Sequence, residues 1–441
     1  MADDRRRAAP KPWTAYLVKA RTLHAVDGVV YAGGGRLTAF DAATGRTLWT
    51  HSSRQILSIS GERLLYACSY GTVSAIDRAT GAEVWQQRVR PRWMRTPRPF
   101  ARFGISLPLR RTHLGTPSRA YEHADGILVC AFTQAVVAYH AETGERLWAR
   151  HHEWSGDAYA IDQAGPVVVR KRNSAVAMDP KTGQMLWHGP DIGVQHLPDR
   201  HILVRPATGP PWTLIDPHTG EPTVELRTEG AWPDRLFGEG DGLLYLTVSG
   251  DTVAFDAGSG ELVWLADSDS DSDSDSGTAN GFGAVSDAHA TEEAVYVSDR
   301  EGRVRALSPS SGAVRWTSPP FGDLPEIKYR SSWLGVHGDV VVVATHGGHV
   351  AVLDRTTGEC RWTWSDPKAT PESRWPDVAV DGAHVYVAGA EHLYALPVVP
   401  RADRTSGAAR PHRHVSEEPP LRRTHHVNTG TPRKLRRATE P

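Results

Sequence analysis

A short pattern that recurs along the chain limits the possible folds more than any other feature. In the copy Ala39–Trp49, an alanine and an apolar residue precede an aspartate, a Thr-Gly pair follows, and a tryptophan stands four residues after the glycine. The glycine recurs at positions 45, 81, 144, 183, 220, 260, 312 and 358, so the first two lie 36 residues apart (81 − 45). Self-similarity at such a period indicates a series of packed supersecondary units.

Each position of the pattern has a physical role. The aspartate, threonine and glycine predict a tight turn between two strands, in which the aspartate binds the backbone ahead of it and the glycine adopts a positive φ. The tryptophan then lies on the following strand and is buried on one face. The alanine leaves room for a neighbouring sheet, so the indole of one unit can pack against a small residue of the next. The structural repeat residues are Trp13, Asp41, Gly45, Trp49, Asp77, Gly81, Trp85, Gly144, Trp148, Asp179, Gly183, Trp187, Asp216, Gly220, Asp256, Gly260, Trp264, Gly312, Trp316, Asp354, Gly358 and Trp362.

Short β-rich runs precede each turn, as at Val29–Ala32, Leu64–Ala67 and Leu243–Leu246, and several follow an Asp-Gly pair. Each unit therefore offers about four short strands, enough for one four-stranded antiparallel sheet. No long segment has a period of 3.6 residues. We expect an all-β fold, a β-propeller with little helix.

The two ends of the repeat region complement each other. Residues 392–396 have an inner strand without a Thr-Gly turn, whereas Trp13 stands one period before Trp49 without a preceding turn. The N- and C-terminal strands should therefore share one blade and close the ring. Direct counting gives nine units, but one is degenerate, with Val224 in the place of tryptophan. We expect eight blades, with seven or nine possible.

The same pattern resembles the PQQ-like repeat of the quinoprotein alcohol dehydrogenase-like propellers, over about Trp13–Pro397. This repeat also occurs in the outer-membrane assembly lipoprotein family and in many bacterial proteins without an enzymatic role. The dehydrogenases hold their quinone beside a vicinal cysteine pair, with calcium bound by acidic and amide side chains. Here Cys68, Cys130 and Cys360 are isolated, and no C-x-x-C-H haem motif exists. We therefore expect no PQQ, no calcium and no other cofactor or metal, and we expect Cys68 and Cys130 to be buried in strands.

A basic insertion interrupts the repeat at residues 88–111. It contains eight arginines and no acidic residue, with aromatic residues between them. It could be a solvated surface loop, a site for an acidic protein partner, or a polyanion or nucleic-acid site. The candidate partner-binding residues are Arg90, Arg92, Trp93, Arg95, Arg98, Arg102, Arg110 and Arg111.

Three other segments fall outside the repeat. Residues 1–11 and 400–441 are polar and should be disordered, and the second has ten basic and four acidic residues from position 401 onward. Five Asp-Ser pairs fill a loop at 267–277, which lacks the glycine and glutamate of an EF-hand and should be a low-complexity loop. The propeller is expected to span residues 12–399.

These features favour a binding role over catalysis. The sequence contains no G-x-S-x-G, H-E-x-x-H or P-loop motif. Fifty basic and 51 acidic residues nearly cancel, which gives no overall attraction to nucleic acid or membranes. No apolar run is long enough for a membrane span or typical of a signal peptide, so we expect a cytoplasmic location.

We therefore expect a non-enzymatic, cytoplasmic scaffold that binds a protein partner or a small ligand. One alternative is a quinoprotein-like oxidoreductase or another propeller enzyme with a site at the channel mouth. The other is a polyanion or nucleic-acid binder that acts through the arginines of the basic insertion.

Overall fold

The computed structural model describes residues 12–17, 22–61, 63–69, 72–88, 119–123, 125–132, 135–151, 158–160, 165–171, 174–189, 193–196, 202–205, 211–228, 233–266, 285–299, 302–320, 332–345, 347–370, 376–389 and 391–398. Four of the predicted segments lie outside these ranges: residues 1–11, the basic insertion after Arg88, the Asp-Ser loop at 267–277 and the tail at 400–441.

The described residues form 36 strands, which make nine four-stranded antiparallel sheets. The first strand, β1 (Trp13–Tyr16), belongs to the last sheet. Blade 1 contains β2 (Thr22–Val26), β3 (Val29–Gly33), β4 (Leu37–Asp41) and β5 (Thr47–His51). Blade 2 contains β6 (Gln55–Ser60), β7 (Leu64–Ser69), β8 (Thr72–Asp77) and β9 (Glu83–Arg88). Blade 3 contains β10 (Arg119–His123), β11 (Ile127–Phe132), β12 (Ala135–His140) and β13 (Arg146–His151).

The next three blades follow in the same order. Blade 4 contains β14 (Ala158–Ala160), β15 (Val167–Lys171), β16 (Ser174–Met178) and β17 (Met185–Gly189). Blade 5 contains β18 (Gly193–His196), β19 (Ile202–Arg205), β20 (Trp212–Ile215) and β21 (Pro222–Leu226). Blade 6 contains β22 (Pro233–Gly240), β23 (Leu243–Val248), β24 (Asp251–Asp256) and β25 (Leu262–Ala266).

The last three blades complete the ring. Blade 7 contains β26 (Val285–Ala290), β27 (Val295–Asp299), β28 (Val304–Leu307) and β29 (Val314–Thr317). Blade 8 contains β30 (Ser332–His337), β31 (Val340–Thr345), β32 (His349–Asp354) and β33 (Cys360–Ser365). Blade 9 combines β34 (Asp377–Val380), β35 (His384–Ala388) and β36 (His392–Pro397) with β1 from the other end of the chain.

The expected all-β propeller and its closure by the two chain ends are both confirmed. In blade 9, β1 pairs with β36, and Trp13 lies opposite Ala395. The described residues form nine blades, one more than the eight that we favoured and within the range left open. The unit at Asp216–Gly220 forms a complete sheet without its tryptophan, since β18 pairs with β19, β19 with β20 and β20 with β21.

The repeated turn joins the third and fourth strands of a blade. At the first copy, Asp41 Oδ1 accepts hydrogen bonds from the backbone N–H and the hydroxyl of Thr44, at 2.8 and 2.6 Å. The Gly45 N–H donates to the Asp41 carbonyl oxygen at 2.8 Å, and Gly45 has a φ of 72°. The sequence-based account of this turn is therefore correct, since the aspartate holds the backbone and glycine adopts this φ without strain.

Indoles join neighbouring blades at eight of the nine described junctions. Eight of them donate Nε1–H to a backbone carbonyl of the following blade at 2.7–3.3 Å, among them Trp49 to Arg78 and Trp13 to Ala42. Seven of these indoles also cover the turn glycine of the next blade. A Cβ atom on Gly81, for example, would lie 2.5 Å from an indole carbon of Trp49.

The alanine of the pattern lies in a core cluster with residues of the next blade, but it is not the small residue that faces the indole there. Ala39 lies opposite Trp49 of its own blade, and Ala75 lies opposite Trp85 in the same way. The small residue that faces an indole across the gap between blades is therefore the turn glycine, to which the sequence alone assigns only a turn.

The core lies between neighbouring sheets, as the contacts of blades 2 and 3 illustrate. Tyr66 and Trp85 of blade 2 pack with Leu128 and Tyr139 of blade 3. Cys130 belongs to the same cluster and is fully buried, as is the thiol at position 68, which agrees with our expectation. None of the described residues forms an apolar helix long enough to span a membrane.

Candidate functional site

The first strand of each blade lies at the centre of the ring. Contacts join β2 to β34 and β6, β6 to β10, and β22 to β26 and then to β30, so these inner strands surround a central channel. Across blades 6 to 9 the channel wall has a cavity of about 450 Å³. We call it the channel pocket, and its lining includes Arg235, Asp287, His289, Trp333, Gly335, His337 and residues 378–380.

A paired carboxylate stands at the centre of the polar lining. Asp287 on β26 forms an ion pair with the guanidinium of Arg235 on β22. Its Oδ1 also accepts from the Ala288 N–H at 3.0 Å, and its Oδ2 accepts from the Leu334 N–H at 2.9 Å. The side chain of Asp287 is only 12% exposed, so these donors replace water around its charge. Asp287 thereby connects the inner strands of blades 6, 7 and 8.

An indole forms the flat part of the lining. Trp333 and Gly335 lie two residues apart on β30, so both positions belong to the same face of the strand. A Cβ atom on Gly335 would lie 2.5 Å from Cη2 of Trp333. The indole therefore lies folded over the bare backbone of Gly335, and the aliphatic side chains of β34 line the pocket beside it.

Two imidazoles complete the polar lining, His289 on β26 and His337 on β30. Partial burial among the neighbouring strands lowers the pKa of His289, and the positive charges of Arg235 and Arg355 lower it further against the opposing effect of Asp287. The lowered pKa favours the neutral form of His289 at pH 7, in which one ring nitrogen is a donor and the other an acceptor.

The pocket residues are not those that the repeat pattern singles out. The repeat aspartates, glycines and tryptophans lie at the turns between third and fourth strands and between blades, away from the channel. The inner strands that carry the pocket contain no repeat motif. The one available signal is the alternation in β26, where Asp287 and His289 are separated by Ala288, so both polar side chains lie on one face of the strand.

The eight proposed partner-binding residues of the basic insertion lie outside the described residues, so their role stays a prediction. Arg88, the last residue of β9, and Arg119, the first of β10, are the described strand ends on either side of the insertion.

The lining of the pocket does not fit a calcium-bound quinone. Its carboxylate, Asp287, already accepts from Arg235 and from two backbone N–H groups. Within the described ranges, no group of three or more His, Cys, Asp or Glu side chains could hold a metal ion. Cys68 and Cys130 are separate buried thiols, and burial raises their pKa, that of Cys68 to about 12. The absence of a bound quinone stays a prediction.

Comparisons with known proteins agree with this architecture. The chain matches BamB from Moraxella catarrhalis with 14% identity and a TM-score of 0.50, over 87% of this chain and 98% of that chain. It also matches the computationally designed protein Ika8 with 16% identity and a TM-score of 0.52, over 79% and 97% of the two chains. The C-terminal WD40 domain of Sif2 matches with 13% identity and a TM-score of 0.53, over 78% and 97%. At these identities the likeness concerns the fold alone.

The family comparison is more specific than the structural one. No curated protein sequence matches the chain. A PQQ-like repeat family model, described as outer membrane protein assembly factor BamB, matches residues 33–190, 171–323 and 248–431. These matches together span most of the chain and agree with the repeat pattern, so the chain belongs to the PQQ-like repeat family that carries this description.

Proposed function

We propose that this protein is a non-catalytic scaffold that binds a protein partner through the outer edge of its ring. One repeat position supports this most directly. The residue before the tryptophan is a large aliphatic side chain in five blades, and each is 40–47% exposed: Leu48, Val84, Leu147, Leu186 and Val263. Aliphatic side chains repeated around an exposed rim favour contact with another protein.

Blade 6 has the most apolar edge of the described rim. On β25, Leu262, Val263 and Leu265 are 47–50% exposed, and Val314 of the next blade is 52% exposed. As the fourth strand of its sheet, β25 pairs with β24 on one side, and no described strand pairs with its other side. Edge strands usually carry proline or charge, which discourages pairing. The strand Leu262–Ala266 has neither, so its outer backbone groups could pair with a strand of a partner.

The family supports the same coarse function. The family description names an assembly factor, and a binding role needs no chemistry from the ring. Asp287 in the channel pocket accepts from three donors, which makes it a poor general base. His349 Nδ1 and Ser365 Oγ lie 2.7 Å apart, but both are on the two outer strands of blade 8, outside the pocket. A cytoplasmic location remains part of this proposal.

The experiment places a photo-crosslinking residue at position 265 on β25 and, as a matched control, at the exposed position 50 on β5, which also follows the repeat tryptophan. Irradiation in an extract of the source organism should give one discrete crosslinked protein from position 265, at least tenfold more than from position 50. Leu262→Lys with Leu265→Lys should reduce partner capture at least tenfold, measured with the crosslinking residue at position 263, without changing the circular dichroism spectrum. Equal products from positions 265 and 50 would contradict a site on this edge.

A second variant tests the basic insertion separately. Deletion of residues 90–111 should leave the ring folded, because it removes no residue of β9 or β10, the described strands on either side of the insertion. If the insertion contributes to partner binding, the crosslink from position 265 should weaken in this variant and should lose its salt dependence. An unchanged crosslink would show that the arginines of the insertion do not contribute to partner binding.

A further inference from the structure

We propose that the channel pocket binds a neutral saccharide, with the indole of Trp333 as the platform for the sugar ring. This inference goes beyond the proposed function, because the pocket lies on the inner strands and the proposed partner surface lies on the outer ones. It rests on three features of the lining: a flat apolar surface, a mixed set of hydrogen-bonding groups, and a guanidinium whose charge is already paired.

The apolar surface is built by a close contact within one strand. Because Gly335 has no side chain, the six-membered ring of Trp333 lies over its backbone instead of standing away from the sheet. Val378 and Val380 of blade 9 stand beside it and are half-buried. A pyranose ring has one face of C–H groups, which buries its apolar area well against a flat indole.

The polar groups supply both donors and acceptors. Arg235 gives one N–H to Asp287, and its fork carries further N–H groups. Neutral His289 can donate from one ring nitrogen and accept at the other, and His337 adds a second imidazole. A sugar hydroxyl both donates and accepts, so several hydroxyls around a ring match a mixed lining better than they match a lining of donors alone.

The charge of the pocket argues against other small ligands. The guanidinium of Arg235 is already paired with Asp287, so a phosphate or carboxylate would have to compete with a 12% exposed carboxylate beside it. A purely apolar ligand would leave Asp287, Arg235 and the imidazoles with fewer polar contacts than water gives them, which costs binding free energy. The cavity of about 450 Å³ also lies within the usual size of small-molecule sites.

The test is isothermal titration calorimetry of the full chain with glucose, galactose, N-acetylglucosamine, maltose and cellobiose. At least one should bind with a Kd near or below about 1 mM, which corresponds to about −4 kcal/mol. Trp333→Ala and Gly335→Ala should each weaken binding at least tenfold, the first by removing the platform and the second by displacing it. Trp333→Phe should retain part of the affinity.

Trp364→Ala is the matched control, since Trp364 packs against the same hydrophobic cluster as Trp333 but lies outside the pocket. It should leave saccharide binding unchanged, and circular dichroism identifies any variant that fails to fold. Three results would overturn the proposal: no saccharide of the panel binds the unmodified chain, Gly335→Ala binds as well as the unmodified chain, or only inorganic phosphate or a tryptophan-containing peptide binds. None of these results bears on the crosslink at position 265.

Discussion

The contact between an indole and a glycine explains why both residues recur at a fixed spacing. Trp49 donates its Nε1–H to the Arg78 carbonyl oxygen at 2.9 Å, and its ring lies against Gly81, where a Cβ atom would be 2.5 Å from Cδ2. Between these two contacts, the backbone N–H and the hydroxyl of Thr80 donate to Asp77 Oδ1 at 2.9 and 2.8 Å, which holds the turn in place. The glycine thus meets two demands at once, a positive φ and the space for an indole.

We predict that Gly81→Ala destabilises the protein more than Gly28→Ala does. The two glycines have nearly the same φ, 72° and 74°, but a Cβ atom at position 28 would meet nothing within 4 Å. Gly28→Ala should therefore cost only the backbone strain of about 1–2 kcal/mol. Gly81→Ala should cost about 1–3 kcal/mol more, because it also displaces the indole. Urea unfolding of both variants measures the difference, and equal free energies would show that the indole contact is unimportant.

At the scale of the element, the blade shared by the two chain ends depends on one four-residue strand. Trp13 lies opposite Ala395 in β36, donates Nε1–H to the Ala42 carbonyl oxygen at 2.9 Å and packs on Gly45 of blade 1. This strand therefore covers the edge of β36 and supplies the indole between blades 9 and 1. Closure of the ring needs both contributions.

We predict that deletion of residues 1–17 lowers the free energy of unfolding by about 3–5 kcal/mol, comparable with the loss of one core tryptophan. Deletion of residues 1–11 is the matched control, since it removes no described residue and leaves β1 in place. Thermal and urea unfolding compare the two proteins. The longer deletion should also expose the edge of β36, which is measured as concentration-dependent association. Identical unfolding of the two proteins would mean that β1 is dispensable.

The sequence predicts the strands and turns of the blades much more completely than it predicts the channel pocket. The turn, the buried indole and the closure by β1 all follow from local residue types that recur at one period, so each copy supports the others. The pocket has no such redundancy. Arg235, Asp287, Trp333 and Val378 lie about 45–52 residues apart in sequence and meet only because successive inner strands surround one channel. A single sequence gives no sign of which inner-strand side chains share a cavity.

For the whole molecule, an indole joins neighbouring blades at eight of the nine described junctions, and the junction between blades 5 and 6 is different. There Val224 replaces the tryptophan, and a Cβ atom on Gly260 would overlap the Glu225 carbonyl oxygen. The backbone of blade 5 at Glu225 instead lies directly against Gly260 of blade 6. The Arg227 N–H also donates to the Gly260 carbonyl oxygen at 3.0 Å. An exposed ion pair between Arg227 and Glu261 adds little to this contact.

A ring opens first at the junction with the weakest contacts between blades, so we predict that local opening begins between blades 5 and 6. The Gly260 and Gly81 N–H groups make the same turn bond, each 2.8 Å from an aspartate carbonyl oxygen, but only Gly81 is covered by an indole. The turn at Asp256–Glu261 should exchange its amide hydrogens at least tenfold faster than the turn at Asp77–Ala82. Trp49→Val should raise exchange at Gly81 toward the rate at Gly260 and leave Gly260 unchanged. Hydrogen exchange followed by mass spectrometry measures both turns in one sample. Equal protection of the two turns in the unmodified chain would contradict the prediction, since the backbone contact would then stabilise the junction between blades 5 and 6 as well as an indole does.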